Sequence, residues 1–149
     1  VIRHVPVMAG RIADLLAGGR TGTVVDCTLG DGGHSEAFLA RLPPEGRVVG
    51  MDRDPDALRV ASERLRGDAR FTSIHTTFSR LGSVDATLGA TGFLFDFGVS
   101  SRQIDEDGRG FTIRPGVRMD LRMDPDDAVD LRSVLTESDS DGIGRELAE

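Results

Sequence analysis

A chain of 149 residues can build one domain with a core of its own and leaves no room for two complete ones. With 38% apolar and 29% charged residues it is not disordered throughout, and no stretch nears the roughly 20 apolar residues of a membrane span, so a cytoplasmic protein with no membrane partner is expected. The net charge of −7 argues against a free-standing nucleic-acid binder, because phosphate contacts need clustered cations, although several arginines between Arg102 and Arg122 offer a local basic strip.

Val7, Met8, Ile12, Leu15 and Leu16 recur at helical spacing after Pro6, and Gly18-Gly19 ends that run. The TVVDCT run from Thr23 to Thr28 reads as a buried strand closing on an acid. Its single cysteine, Cys27, has no partner for a disulfide and sits in an apolar setting. The glycine-rich LGDGGHS turn follows, then the helical stretch EAFLARL. A second strand, Arg47 to Asp52, also ends in an acid, and Pro55 opens a helix to about Arg66 with Leu58, Ala61 and Leu65 inward. Arg70 to His75 supplies a third strand, and Gly92 to Phe97 a fourth that carries Asp96 near its end. Strands alternating with helices imply a parallel sheet with right-handed crossovers, whose ligands bind beyond the carboxyl ends of the strands. From Ser100 onward the pattern loosens into loop, with a helix starting in Val129 to Leu135 and a polar, poorly ordered tail. The chain opens at Val1 without an initiating methionine, which reads as a fragment of a longer product.

The segment from Asp26 through Gly30, Gly32, Gly33 and His34 carries the chemistry. Glycines let the backbone bend and approach a ligand closely. An NAD site would place a third glycine where Ser35 stands, so the match to a dinucleotide motif is partial. S-adenosylmethionine carries a cationic sulfonium and no phosphate, and Asp26 and Asp31 suit it better. Asp52 ends a strand about 20 residues after the turn, where a carboxylate accepts both ribose hydroxyls; the bland alternative is a helix N-cap. His34 contacts the methionine carboxylate or is a polar surface residue, and Phe78 borders the adenine or belongs to the core. Asp96 lies where an acceptor would meet the cofactor methyl. Two coincidences carry less weight. Asp96-Phe97-Gly98 spells a kinase tripeptide without the other kinase motifs, and Asp52, Asp54, Asp56 and Glu63 match calcium-loop spacing with Ala57 where glycine is required.

Taken together, HVPVM, D-x-T-L-G-D-G-G-H-S, G-x-D-R-D-P-D-A, DFGVSSRQID with its RGF, and MDLRMDP resemble the bacterial 16S ribosomal RNA cytosine-N4 methyltransferase family, in the family's order and over about Arg3 to Val134. The resemblance implies a Rossmann-like class I methyltransferase fold with helices on both faces of the sheet, incomplete at its C-terminal side. It implies an S-adenosylmethionine-binding domain over residues 1–99, followed over 100–149 by the motif loop and the start of an inserted helical substrate domain. It also implies a cofactor site lined by Gly32, Gly33, His34, Asp52, Phe78, Asp96 and Gln103, with Asp96 as the catalytic candidate and no metal. The substrate would be 16S rRNA in the small ribosomal subunit, and the sequence sets no oligomeric state. Departures are Phe95 and Phe97 at aliphatic positions, Arg102 in place of proline, and Val117-Arg118 in place of Gly-Pro. Competing readings are a truncated, non-catalytic cofactor-binding module and an NAD-linked oxidoreductase.

Overall fold

The computed structural model describes residues 5–137, so His4 of HVPVM and the polar tail after residue 137 lie outside the described residues. These residues fall into two compact units divided between Gly98 and Val99.

The first unit is built on four parallel strands, β1 (Thr23–Asp26), β2 (Arg47–Asp52), β3 (Phe71–His75) and β4 (Gly92–Leu94), in the order β3-β2-β1-β4. Helices α1 (Ala9–Leu16), α2 (Gly33–Leu39) and α3 (Pro55–Arg64) intervene. Because side chains alternate along a strand, Val24, Val48 and Leu94 face one side of the sheet and Val25, Val49 and Met51 the other. The first side packs against Ala13 and Ala17, Phe38, Leu39 and Leu42, and Leu65 at the end of α3. Ile74 and, from the 3₁₀ turns at Phe78–Ser83 and Asp85–Thr87 and the residues around them, Leu81, Val84 and Ala90 cover the second. The β-branched run buried on both faces is what makes β1 a central strand.

Two departures from the sequence reading bear on the site. The fourth strand ends at Leu94, not Phe97, because β4 pairs only with β1 and that ladder closes at Asp26↔Leu94. Asp96 therefore stands just past the strand, in the crevice outside it. The second helix begins earlier than expected, at Gly33, so His34 lies in its first turn. Gly32 precedes it in the left-handed region, φ 77°, and a Cβ there would come within 3.0 Å of Ala61 Cβ. Only glycine allows both that turn and the close approach of α3. Within α3, Ala57 and Ala61 are buried, whereas Leu58 is buried only in part.

The N-cap of α3 is Asp54, whose Oδ1 accepts the Asp56 N–H at 3.0 Å, with Pro55 at the first helical position. Asp54→Ala should lower stability by about 1 kcal/mol. A urea midpoint that falls at constant slope would show it, and an unchanged midpoint would remove the cap from the account.

The second unit contains α4 (Ser101–Asp105), a 3₁₀ turn at Asp107–Arg109 and α5 (Leu131–Glu137). The short helix α4 corrects the expectation of loop directly after Ser100, whereas α5 falls where the sequence places a helix start. Ser100 Oγ accepts the Gln103 N–H and Gln103 Oε1 accepts the Ser100 N–H, a reciprocal cap that holds even a five-residue helix. Arg109 is buried and donates to the carbonyls of Arg122 and Met123, at 3.2 and 2.7 Å. Asp130 caps α5 by accepting from Ser133 and pairs with Arg118. These hydrogen bonds hold its carboxyl well below the usual range. Arg114 pairs with Asp107 and Arg122 with Asp120. The hoped-for basic strip is therefore largely neutralised within its own unit.

Candidate functional site

The strand order places β1 at the point where the chain stops adding strands on one side and returns to add β4 on the other. At such a switch point the two connecting segments diverge and leave a crevice beyond the strand ends. Asp26 closes β1, Asp52 closes β2, and Asp96 follows β4, so all three acids stand at one edge. Asp26 and Asp52 share one face of the sheet, since Asp26 pairs across from Gly50, two residues before Asp52 on β2.

Asp26 is fully buried, and its Oδ2 accepts the Ser35 hydroxyl at 2.8 Å. Its Oδ1 has no hydrogen-bond partner of good geometry among the described residues, the Thr28 N–H only moderating the charge. Burial pushes its pKa up to about 6, against the lowering effect of Ser35, with the nearby charges of Asp52 and Asp96 adding to the rise. Asp26 Oδ1 is thus a buried acceptor without a hydrogen-bond partner at the carboxyl end of β1.

Asp52 organises the glycine turn. Its Oδ2 accepts the Gly30 N–H at 2.8 Å and its Oδ1 the Asp54 N–H at 2.9 Å. Burial raises its pKa, and these backbone hydrogen bonds hold the rise back. Each oxygen retains a further lone pair for a ligand hydroxyl. Asp52 is not the helix cap, which settles that alternative in favour of Asp54. Leu29, in the same turn, donates its N–H to the Met51 carbonyl and lies over Gly50, where a Cβ would fall 2.6 Å from Leu29 Cδ1. The turn is thus stitched to β2 by backbone, side chain and the lack of one.

His34 is buried, its ring lying against Phe38 with centroids 6.4 Å apart and 25° between planes. Nε2 comes within 3.4 Å of Asp96 Oδ2, without the alignment of a hydrogen bond. The Asp96 N–H donates to Thr28 Oγ1 at 2.7 Å, which fixes the backbone beyond β4 to the backbone beyond β1. Phe78 forms an edge-on cluster with Phe95 and Phe97, centroids 6.0 and 5.4 Å away. All three rings are partly open to solvent, so Phe78 is not a core residue.

The first unit accordingly brings together Gly32, Gly33, His34, Asp52 and Asp96, with Phe78 next to the two phenylalanines flanking Asp96. Gln103 belongs to the second unit, where its amide is engaged in the α4 cap. Thr28 and Ser35 were missed as site residues. Thr28 stands in the bend just past β1, two residues after Asp26, and Ser35 stands at the third-glycine position of a dinucleotide motif. Cys27 is buried and its thiol is pushed up to about 11 by that burial, so it is an inert core residue. Among the described residues no group of three or more His, Cys, Asp or Glu side chains is placed to hold a metal, and no helix is long and apolar enough to cross a membrane.

A parallel sheet with an acid-rimmed crevice and a glycine turn at its switch point defines a Rossmann-like fold, in which such a crevice takes a nucleoside. Known structures share that fold. A crystal structure from Clostridium thermocellum, provisionally named an rRNA-methylase, superposes with a TM-score of 0.53 at 22% identity over 65% of this chain and 54% of that one. A Klebsiella pneumoniae protein, provisionally named an O-methyltransferase, gives 0.51 at 21% identity over 65% and 46%.

The chain belongs to the MraW methylase family, which matches residues 1–148. It is 41% identical to ribosomal RNA small subunit methyltransferase H of Heliobacterium modesticaldum, over 99% of this chain and 49% of that protein. The same-named protein of Streptomyces avermitilis is 48% identical over 89% and 44%. The chain thus spans half or less of the length of these relatives.

Proposed function

We propose that this chain carries the S-adenosylmethionine-binding part of a methyltransferase that modifies the N4 amino group of a cytidine in 16S ribosomal RNA. The observation that carries the reading is the convergence of Asp26, Asp52, Asp96 and the Gly30–His34 turn at one switch point, in a member of a methylase family.

The residues fit the group. Asp52 takes the ribose hydroxyls with the lone pairs left over from Gly30 and Asp54. Gly32 and Gly33 let the backbone approach the ligand, His34 stands beside Asp96 at the edge of the site, and Phe78 borders its adenine. Asp26 supplies a buried negative charge for a cationic ligand. When bound, S-adenosylmethionine supplies an electrophilic methyl group. The chain's task is then to present the acceptor. An exocyclic cytosine nitrogen is a poor nucleophile because its lone pair is delocalised into the ring. Asp96 accepts a hydrogen bond from that amino group and aims it in line, so that positioning provides most of the acceleration. The cytidine would leave its stack to reach the site. The place of Gln103 beside the cofactor rests on the family resemblance.

In this reading the first unit is the cofactor-binding domain and the second is the motif loop with the start of the substrate domain. The protein would act in the cytoplasm, on the small ribosomal subunit. NAD is disfavoured because Ser35, at the third-glycine position, is buried and committed to Asp26.

Calorimetry with S-adenosylmethionine and with NAD tests the cofactor, and the first alone should bind. Binding of neither would favour a non-catalytic module, and binding of NAD would overturn the reading. Methyl transfer to isolated small subunits, mapped to a cytidine N4, tests the substrate.

A further inference from the structure

The ring of His34 is buried, yet neither nitrogen makes a hydrogen bond among the described residues. A buried imidazole left this way loses water without compensation, so its surroundings require a partner. Its nearest charged group is Asp96, whose side chain is about half exposed, 47%, against 6% for His34. Asp96 is tethered at one end only, through its N–H to Thr28, and a carboxylate half in water is free to rotate. Such freedom is a handicap for a group whose work is to aim an amine.

We propose that His34 is a positioning residue for Asp96: its Nε2–H holds Oδ2 and thereby turns Oδ1 toward the acceptor amine. The role rests on the methyltransferase reading above and adds to it a residue that acts through Asp96. Packing of the imidazole against the fully buried Phe38 fixes the ring plane, and a small rotation of the exposed carboxylate closes the 3.4 Å approach into an aligned bond. The proton then sits on Nε2, leaving Nδ1 as an acceptor. In the transfer itself the amine nitrogen forms its bond to the methyl carbon, and the carbon–sulfur bond breaks with its electron pair left on sulfur. The surplus N–H proton passes to Asp96 Oδ1 and from that half-exposed carboxylate to water. The charge lost from sulfur is the charge of the released proton.

The other titratable groups on the elements around α2 are engaged elsewhere or stand at the same edge. Asp14 of α1 pairs with Arg41, and Arg64 of α3 pairs with Glu36 of α2. Asp26 and Asp52 remain at the edge with Asp96, and Asp26 is bound to Ser35.

The test begins without cofactor. Long-range proton–nitrogen NMR of the full chain reports which ring nitrogen of His34 carries the proton. We expect Nε2–H in the wild type and a redistribution toward Nδ1–H in Asp96→Asn. A proton on Nδ1 in the wild type, or a tautomer indifferent to Asp96→Asn, would overturn the pairing. A wild type that binds no S-adenosylmethionine would instead overturn the methyltransferase reading and leave the pairing standing. Where methyl transfer is measured, His34→Leu should lower kcat about 10- to 100-fold. His34→Gln, which keeps a donor, should restore it to within about fivefold, with cofactor Kd moving less than kcat in both. A loss confined to Kd, or no rescue by glutamine, would assign His34 to cofactor contact or packing alone.

Discussion

Asp52→Ala is expected to weaken S-adenosylmethionine binding about 100-fold, measured by calorimetry. The substitution removes two things at once. The ribose loses a carboxylate acceptor, and hydrogen bonds to a charged group are worth about 1.5–3 kcal/mol each. The Gly30 and Asp54 N–H groups lose their shared anchor, so the turn that must meet the ligand is loosened before binding. Water recovers part of both losses, which leaves a net of about 3 kcal/mol, or roughly two orders of magnitude in affinity. Asp52→Asn keeps one acceptor oxygen and should fall between the two. Affinity unchanged in Asp52→Ala would remove the ribose role, whatever its effect on stability.

Asp26→Asn should change the pH dependence of folding by about 3 kcal/mol. The carboxyl titrates near its ordinary value of 3.8 in the unfolded chain and at about 6 in the folded one. A raised folded value means that the group's favourable contribution is complete below pH 4 and is lost as pH rises through 6, by about 1.4 kcal/mol for each unit of difference. Asparagine has no such titration. The stability of the variant relative to wild type should therefore rise by about 3 kcal/mol between pH 3 and pH 7, read from urea midpoints. Comparing differences matters, because Asp68, Asp120 and Asp130, whose carboxyls are held low by arginine or backbone donors, move stability the opposite way on acidification. A difference independent of pH would show that Asp26 ionises as easily in the fold as out of it. The same variant should bind S-adenosylmethionine more weakly, since the buried charge destabilises the empty fold and is proposed to meet the cation. Gaining stability while losing affinity is the signature of a group retained for binding.

Phe78, Phe95 and Phe97 form one aromatic cluster beside Asp96. Phe95 and Phe97 flank Asp96, and both rings reach Phe78. The adenine border proposed for Phe78 is therefore wider and more polarisable here than an aliphatic pair would make it.

Much of the fold was legible because its signals are local. TVVD and RVVGMD are runs too apolar and too β-branched to sit anywhere but between other strands, and each ends in an acid at the carboxyl end of its strand. Pro55 marks a helix start through backbone geometry alone, whereas the start of α2 at Gly33 depends on the packing of Gly32 against α3. The capping box around Ser100 and Gln103 was equally local and was overlooked, since a five-residue helix leaves no periodicity to notice. Other features depend on partners far along the chain. Nothing within GFLFDF says that pairing stops at Leu94; that is set by where β1 ends, almost 70 residues earlier. Burial of Asp26 depends on Ser35 and on neighbouring strands, and the meeting of His34 with Asp96 spans 62 positions. The sequence by itself determined the order of strands and turns and the acids at their ends, because backbone preference and hydrophobic period act over a few residues. Only the tertiary structure decided which acid is dry, which is tethered and which histidine stands beside it, because desolvation and side-chain contact belong to the packed sheet and not to any one of its segments.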